Sequence, residues 1–142
     1  MTTVLQDVAD TAKRAVDTFH DRSRGGLDFS EGSLSIVEEM LAEASDYISE
    51  MPQPEISSLV QLLGCYVLEV ARTTYGGEYA WLDEAKGPVL IVGEPTTHIA
   101  IATWEKIRGR LNGDPADNIP FFYQGFADMA RTLPAGKRKL FV

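Results

Sequence analysis

The sequence predicts an α+β fold in which about five helices pack on a small three-stranded, mostly antiparallel sheet. Three observations carry that expectation. Residues 3–74 hold three runs of apolar residues at helical spacing, each closed by Gly or Pro. Residues 78–103 change texture to short β-branched and aromatic segments separated by turn residues. Helical spacing then returns from Trp104 onwards. A chain of 142 residues suits one ordinary domain with a real core. We divide it into an N-terminal helix over 1–26, a core over 27–132 and a basic-apolar tail over 133–142.

The first helix is expected over 3–22, where Leu5, Val8, Ala12, Ala15 and Phe19 recur on one face and Arg24-Gly25-Gly26 ends the run. Ser30 suits the N-cap of a second helix, about Glu31–Glu50, with Leu34, Val37, Met40, Leu41, Ala44, Tyr47 and Ile48 as its stripe. Met51-Pro52-Gln53-Pro54 breaks it, and Pro54 fits the first turn of a third helix reaching Thr74. That third helix is apolar nearly all round, which predicts a buried central position. Gly76-Gly77 stops it. Strands are expected at Glu78–Leu82, Pro88–Val92 and His98–Thr103, and Gly93–Thr97 fits a hairpin loop joining the last two. A short helix, Trp104–Leu111, ends at Asn112-Gly113, and a last helix covers about Asn118–Thr132.

The charge distribution is the sharpest functional clue. The formal net charge is −8, and all of it is assignable to Asp28–Glu55, which holds eight acidic residues and no Lys or Arg. The flanking segments cancel. On an ideal helix, Glu39, Glu43, Asp46 and Glu50 fall within an arc of roughly 60° opposite the apolar stripe. Like charges four apart destabilise a helix, and no local Lys offsets them. Such a ridge is either a solvated face that favours solubility or a docking face that steers a basic partner. The tail Lys137-Arg138-Lys139 offers an internal occupant of the same ridge. A straight ridge splays carboxylates apart and suits calcium poorly, and no Asp-x-Asp-x-Asp-Gly loop occurs.

Several classes are disfavoured. A pI near 4.7 argues against nucleic-acid binding, which needs a basic stripe. The least charged run, Ile56–Leu68, is too short to span a membrane and carries Ser57, Ser58 and Gln61. The N-terminus lacks the basic and apolar regions of a secretory signal, so a cytoplasmic location is expected. The single Cys65 lies in an apolar run and reads as a small hydrophobe rather than a nucleophile. His20 and His98 form no ligand-spaced pair, so neither metal nor cofactor is expected. Val89–Pro95 lacks the Gly-Lys-Ser/Thr of a phosphate loop and reads as strand and turn.

Glu69 and Arg72 are the only charged residues between Ile56 and Tyr75. Three apart on a buried helix, they form a structural ion pair or line a pocket in which Glu69 is an acid with a raised pKa. One carboxylate without a converging His, metal or second carboxylate is thin support for chemistry. Phe121 falls off the stripe of the last helix, which makes it a candidate contact between subunits of a homo-oligomer.

The order of motifs resembles a group of small bacterial domains of unknown function. The shared elements are Leu27-Asp28-Phe29-Ser30, the helix Leu63–Val70, Tyr75-Gly76-Gly77, Trp81 and Pro88 on strands, Trp104–Leu111, Asn112-Gly113 and Ile119–Phe122. Leu68 stands where that pattern carries Gly. The resemblance spans about residues 27–126 and implies no particular activity. Some similar small acidic bacterial proteins are immunity proteins that neutralise toxins.

The leading expectation is therefore a non-enzymatic protein-binding domain that presents its second helix to a basic partner, with an immunity-type role as one form of it. A small enzyme or ligand-binding domain with a pocket at Glu69, and a structural homo-oligomer, are the alternatives.

Overall fold

A computed structural model describes residues 3–142 and is α+β: six helices and a four-stranded sheet. α1 (Val4–Thr18) starts where the Thr3 hydroxyl accepts from the Gln6 amide at 3.1 Å. It buries Val8, Ala12 and Ala15, whose small size brings it close to α4 (Gln53–Tyr75). A single turn, α2 (His20–Ser23), follows. Arg24 and Gly25, with φ of +55° and +72°, then reverse the chain, as the Arg-Gly-Gly signal predicts.

α4 is the central rod. Every residue from Leu63 to Ala71 is buried, with α1 on one flank and the sheet on another. An all-apolar helix reaches a stable state only in such a position. Tyr66 is fully buried, and its hydroxyl is satisfied by Ser33 at 2.6 Å and by the Phe29 amide at 2.9 Å.

The strands β1 (Glu78–Leu82), β2 (Gly87–Val92), β3 (His98–Ala102) and β4 (Arg138–Phe141) lie in that order. The first two pairings are antiparallel and β3–β4 is parallel. A parallel neighbour needs a long crossover, and α5 (Trp104–Leu111) with α6 (Ile119–Thr132) supplies it. Alternation puts Leu90, Val92, Ile99, Ile101 and Phe141 against the helices. Ala80, Leu82, Val89, Ile91 and Ala102 form a small second cluster on the opposite face around Ala85.

Three expectations are corrected. The sheet has four strands and mixed polarity, not three mostly antiparallel ones, and there are six helices rather than about five. The basic tail is the fourth strand: Arg138↔His98 and Leu140↔Ala100 are in register with β3. The sequence offers its Lys and Arg as an occupant of the acidic ridge, but charged residues of this kind also protect an edge strand from further pairing. No ion pair among the described residues joins that tail to the acidic stretch. Finally, the second helix is not continuous over 31–50. A 3-10 turn at Glu31–Ser33, capped by Ser30, leads into α3 (Leu34–Ser45), and a further 3-10 turn occupies Ile48–Glu50. Asp46, Tyr47 and Ser49 are weak helix formers, and Met51 before Pro52 is pushed to an extended conformation.

Candidate functional site

Because α3 ends at Ser45, the four ridge carboxylates do not share one stripe. Glu43 is held internally, where Arg22 of α2 donates to its carboxylate at 2.7 Å with both side chains exposed. Glu39 faces a polar cleft with Asp21, Arg22 and Arg24. Asp46 and Glu50 lie beyond the helix end, in the turns that lead to α4. All four are exposed, and Glu39, Asp46, Glu50 and also Glu55 have no side-chain partner among the described residues.

What the turns do is open a groove. α2 and the end of α1 form one wall, the end of α3 the second, and the start of α4 the third. Phe19, Met40, Tyr47, Met51, Leu59 and Leu62 supply its apolar lining, and the cavity measures about 380 Å³. Arg22, Glu43 and Glu55 reach its rim. Tyr47 is 58% exposed, so its ring is offered to solvent rather than packed. The groove exists because α3 stops a turn short of the Pro52 break, leaving the apolar residues beyond Leu41 only partly covered. Over the buried Met40, the part-exposed Met51 and Phe19 and the exposed Tyr47 make an adaptable apolar surface.

The same acidic stretch also has members with internal duties. Glu38 accepts from Arg110 at 2.7 Å and from the Ile119 amide at 3.1 Å, so it ties α3 to α5 and caps α6. Glu31 accepts from the Tyr75 hydroxyl at 3.0 Å. Asp28 caps the turn at Ser30, which holds its carboxyl below the usual range. Four of the eight acids are therefore bonded within the chain and four are open to a visitor.

Glu69 is buried and enclosed. Arg72 donates to both of its oxygens, Nε at 2.7 Å and Nη2 at 3.0 Å, and the Tyr79 hydroxyl donates at 2.8 Å. Burial alone raises its pKa, but the Arg72 and Tyr79 bonds outweigh it and hold the carboxyl below its ordinary value. Burial and the neighbouring carboxylate push the Tyr79 phenol far up. A low-pKa carboxylate with both oxygens taken is a strut between α4 and β1, not a proton donor. Phe121 projects from the first turn of α6 and is 79% exposed, more than any other large apolar side chain described.

Sequence reasoning missed the groove. Met40 and Tyr47 both read as members of the buried apolar stripe and Met51 as part of the break; Met40 is indeed buried, but Tyr47 is exposed because the helix ends before it. It also missed Glu38, whose partners lie 72 and 81 residues away. The one available signal was the position of Glu38 at the edge of the stripe, where a carboxylate can reach a neighbouring helix.

Among the described residues no helix is long and apolar enough to cross a membrane, and no group of His, Cys, Asp or Glu is arranged to hold a metal. Together these features define an α+β domain with an acid-rimmed apolar groove between α1, α3 and α4. Comparison with protein-family models, with curated proteins and with solved structures returns no match. The resemblance to small bacterial domains thus rests on the motifs that suggested it.

Proposed function

We propose that this chain is a non-enzymatic protein-binding domain whose groove receives a basic amphipathic helix of a partner protein. The observation that carries the reading is the coincidence of an open apolar groove, with Glu43 and Glu55 on its rim, and the exposed carboxylates Asp46 and Glu50 in the turns that adjoin it. An amphipathic helix docks its apolar face into such a groove, and Lys or Arg on its flanks meets the acidic rim. Glu43 takes part through its exchangeable pair with Arg22; an exposed pair of this kind is weak and is replaced without large cost. Glu39 contributes to the field rather than to contact. An immunity-type role, with a basic toxin as partner, is one form of this reading.

The test is NMR titration of the labelled protein with a basic amphipathic helical peptide and with its charge-reversed counterpart. Shifts should cluster on Phe19, Met40, Tyr47, Met51 and Leu59, and the affinity should fall as salt rises. Shifts elsewhere, or equal binding of both peptides, would refute the proposal.

A second reading, a homo-oligomer that buries Phe121, is favoured by the exposure of that large apolar ring on the solvent side of α6. Light scattering of the wild type and of Phe121→Ser separates the two: a monomer in both cases excludes it.

A further inference from the structure

The helices cover one face of the sheet, and the opposite face is apolar too. Ala80 and Leu82 of β1, Val89 and Ile91 of β2 and Ala102 of β3 gather there with Ala85, and no member of that cluster comes from an α-helix. Register extends the row to the far edge: Ile91 lies opposite Ala100, and Ala100 opposite Leu140 of β4. The 3-10 turn Asp83–Ala85 packs on Val89 and Ala102, which are buried. Beyond that turn Leu140 is exposed and Leu82 and Ile91 are only half-buried, so this part of the face meets water. An antiparallel sheet with one solvated face commonly carries polar residues on it. Ala, Val, Ile and Leu across four strands are instead the composition of the inner layer of a two-sheet sandwich.

The two edges of this face carry opposite charges. By alternation Glu78 shares the outer side of β1 with Ala80 and Leu82, and Arg138 shares the outer side of β4 with Leu140. Both are exposed, and neither makes an ion pair or a side-chain hydrogen bond among the described residues. Asp83 and Glu84 follow β1, and Lys137 precedes β4. A two-fold axis brings one surface patch against itself. An axis parallel to the strands lays β1 of one copy over β4 of the other, so acid meets base on both sides of the axis. An axis across the strands lays β1 over β1 and opposes acid to acid. The charges therefore select the first arrangement. Heights along the strands agree with it. Glu78 lies in the cross-strand row of Ile91, Ala100 and Leu140, and Arg138 in the adjoining row, opposite His98. Packed sheets stand about 10 Å apart, a gap that an Arg and a Glu side chain span together.

We propose that this chain forms a two-fold homodimer in which the outer faces of two sheets pack together, with Glu78 of each copy paired to Arg138 of the other. The acidic stretch 28–55 belongs to the helical layer, and at physiological salt a charge acts over only about 8 Å, so the net charge does not prevent the contact. The groove between α1, α3 and α4 stays open in such a dimer, and Phe121 of α6 takes no part in it. The dimer is independent of both earlier readings and stands or falls without them.

The experiment is sedimentation equilibrium of the full chain at rising concentration, with light scattering as a second readout. The wild type should pass from monomer to dimer by about 0.5 mM, a concentration far above the Kd of a specific interface. Glu78→Arg and Arg138→Glu each turn both symmetric contacts into like-charge pairs, and each should weaken the dimer by about tenfold or more. An equimolar mixture of these two variants places Arg on Glu at both contacts and should dimerise as tightly as the wild type. Phe121→Ser should leave the dimer unchanged. A monomer at every concentration overturns the proposal. So does a dimer that neither reversal weakens, a dimer lost in Phe121→Ser, or a mixture that stays as weak as its two components.

Discussion

Removing Arg72 should destabilise the protein more than removing the charge of its partner Glu69, and acid should erase the difference. The asymmetry comes from burial. The Glu69 side chain is 9% exposed and has nowhere else to go, whereas Arg72 is 35% exposed and can swing its guanidinium into water. Arg72→Met leaves a buried carboxylate with Tyr79 as its one remaining side-chain donor, a situation that costs about 3 kcal/mol or more. Glu69→Gln keeps an acceptor for Tyr79 and releases Arg72, which costs about 1 kcal/mol. The pH dependence follows from the sign of each shift. In the wild type the Glu69 pKa is depressed, so its contribution is present above the unfolded value near 4.5 and is lost as pH falls through the folded value. In Arg72→Met burial dominates and the folded pKa rises above the unfolded one. The penalty is then full at neutral pH and shrinks as pH falls through the raised value, because protonation removes the buried charge. Urea unfolding at pH 7 and near pH 4.5 measures both effects. The double substitution should be more stable than Arg72→Met alone at pH 7, since it removes the stranded charge. Equal cost of the two single changes, or a gap that stays constant on acidification, would refute the account of Glu69 as an enclosed strut.

Other expectations are independent of that network. Asp46→Lys with Glu50→Lys should leave stability within about 0.5 kcal/mol, as exposed unpaired sites do, yet abolish the salt-sensitive part of binding to a basic amphipathic peptide. Tyr66→Phe should cost about 1–3 kcal/mol by thermal or urea unfolding, because it leaves the Phe29 amide and the Ser33 hydroxyl without their shared partner. Deleting residues 138–142 removes β4 and uncovers Phe126, which meets Phe141 edge to face at 6.3 Å; unfolding should come at lower urea and hydrogen exchange in β3 should accelerate. Cys65, buried and with a raised pKa, should resist a thiol reagent in the native state and react at the rate of unfolding.

The candidate sites differ in how much of them the sequence carried. Acid enrichment over 28–55 was plain from composition, but its division was not. Glu38 and Glu43 meet Arg110 and Arg22, and those partners are decided by how α3 lies against α5 and α2. Trp81 and Trp104, 23 positions apart, likewise meet edge to face with centroids 5.8 Å apart only because β1 and α5 come together. Only the glycines hinted at that contact: Gly64 within the apolar helix and Gly87 at the start of β2 both lie against the Trp104 ring.

From the chain alone came the order of elements, the buried course of Leu63–Ala71, the turns at Gly76-Gly77 and Asn112-Gly113, and the antiparallel pairing of β2 with β3. Periodicity, capping and turn chemistry act over a few residues, so local sequence is enough to specify them. Tertiary packing alone decided that Arg138–Phe141 becomes a strand, that α3 stops at Ser45, and that a groove opens between the end of α1, α3 and α4. Those outcomes depend on which backbone edges and side-chain faces remain uncovered once distant segments meet, and no short window of sequence contains that information.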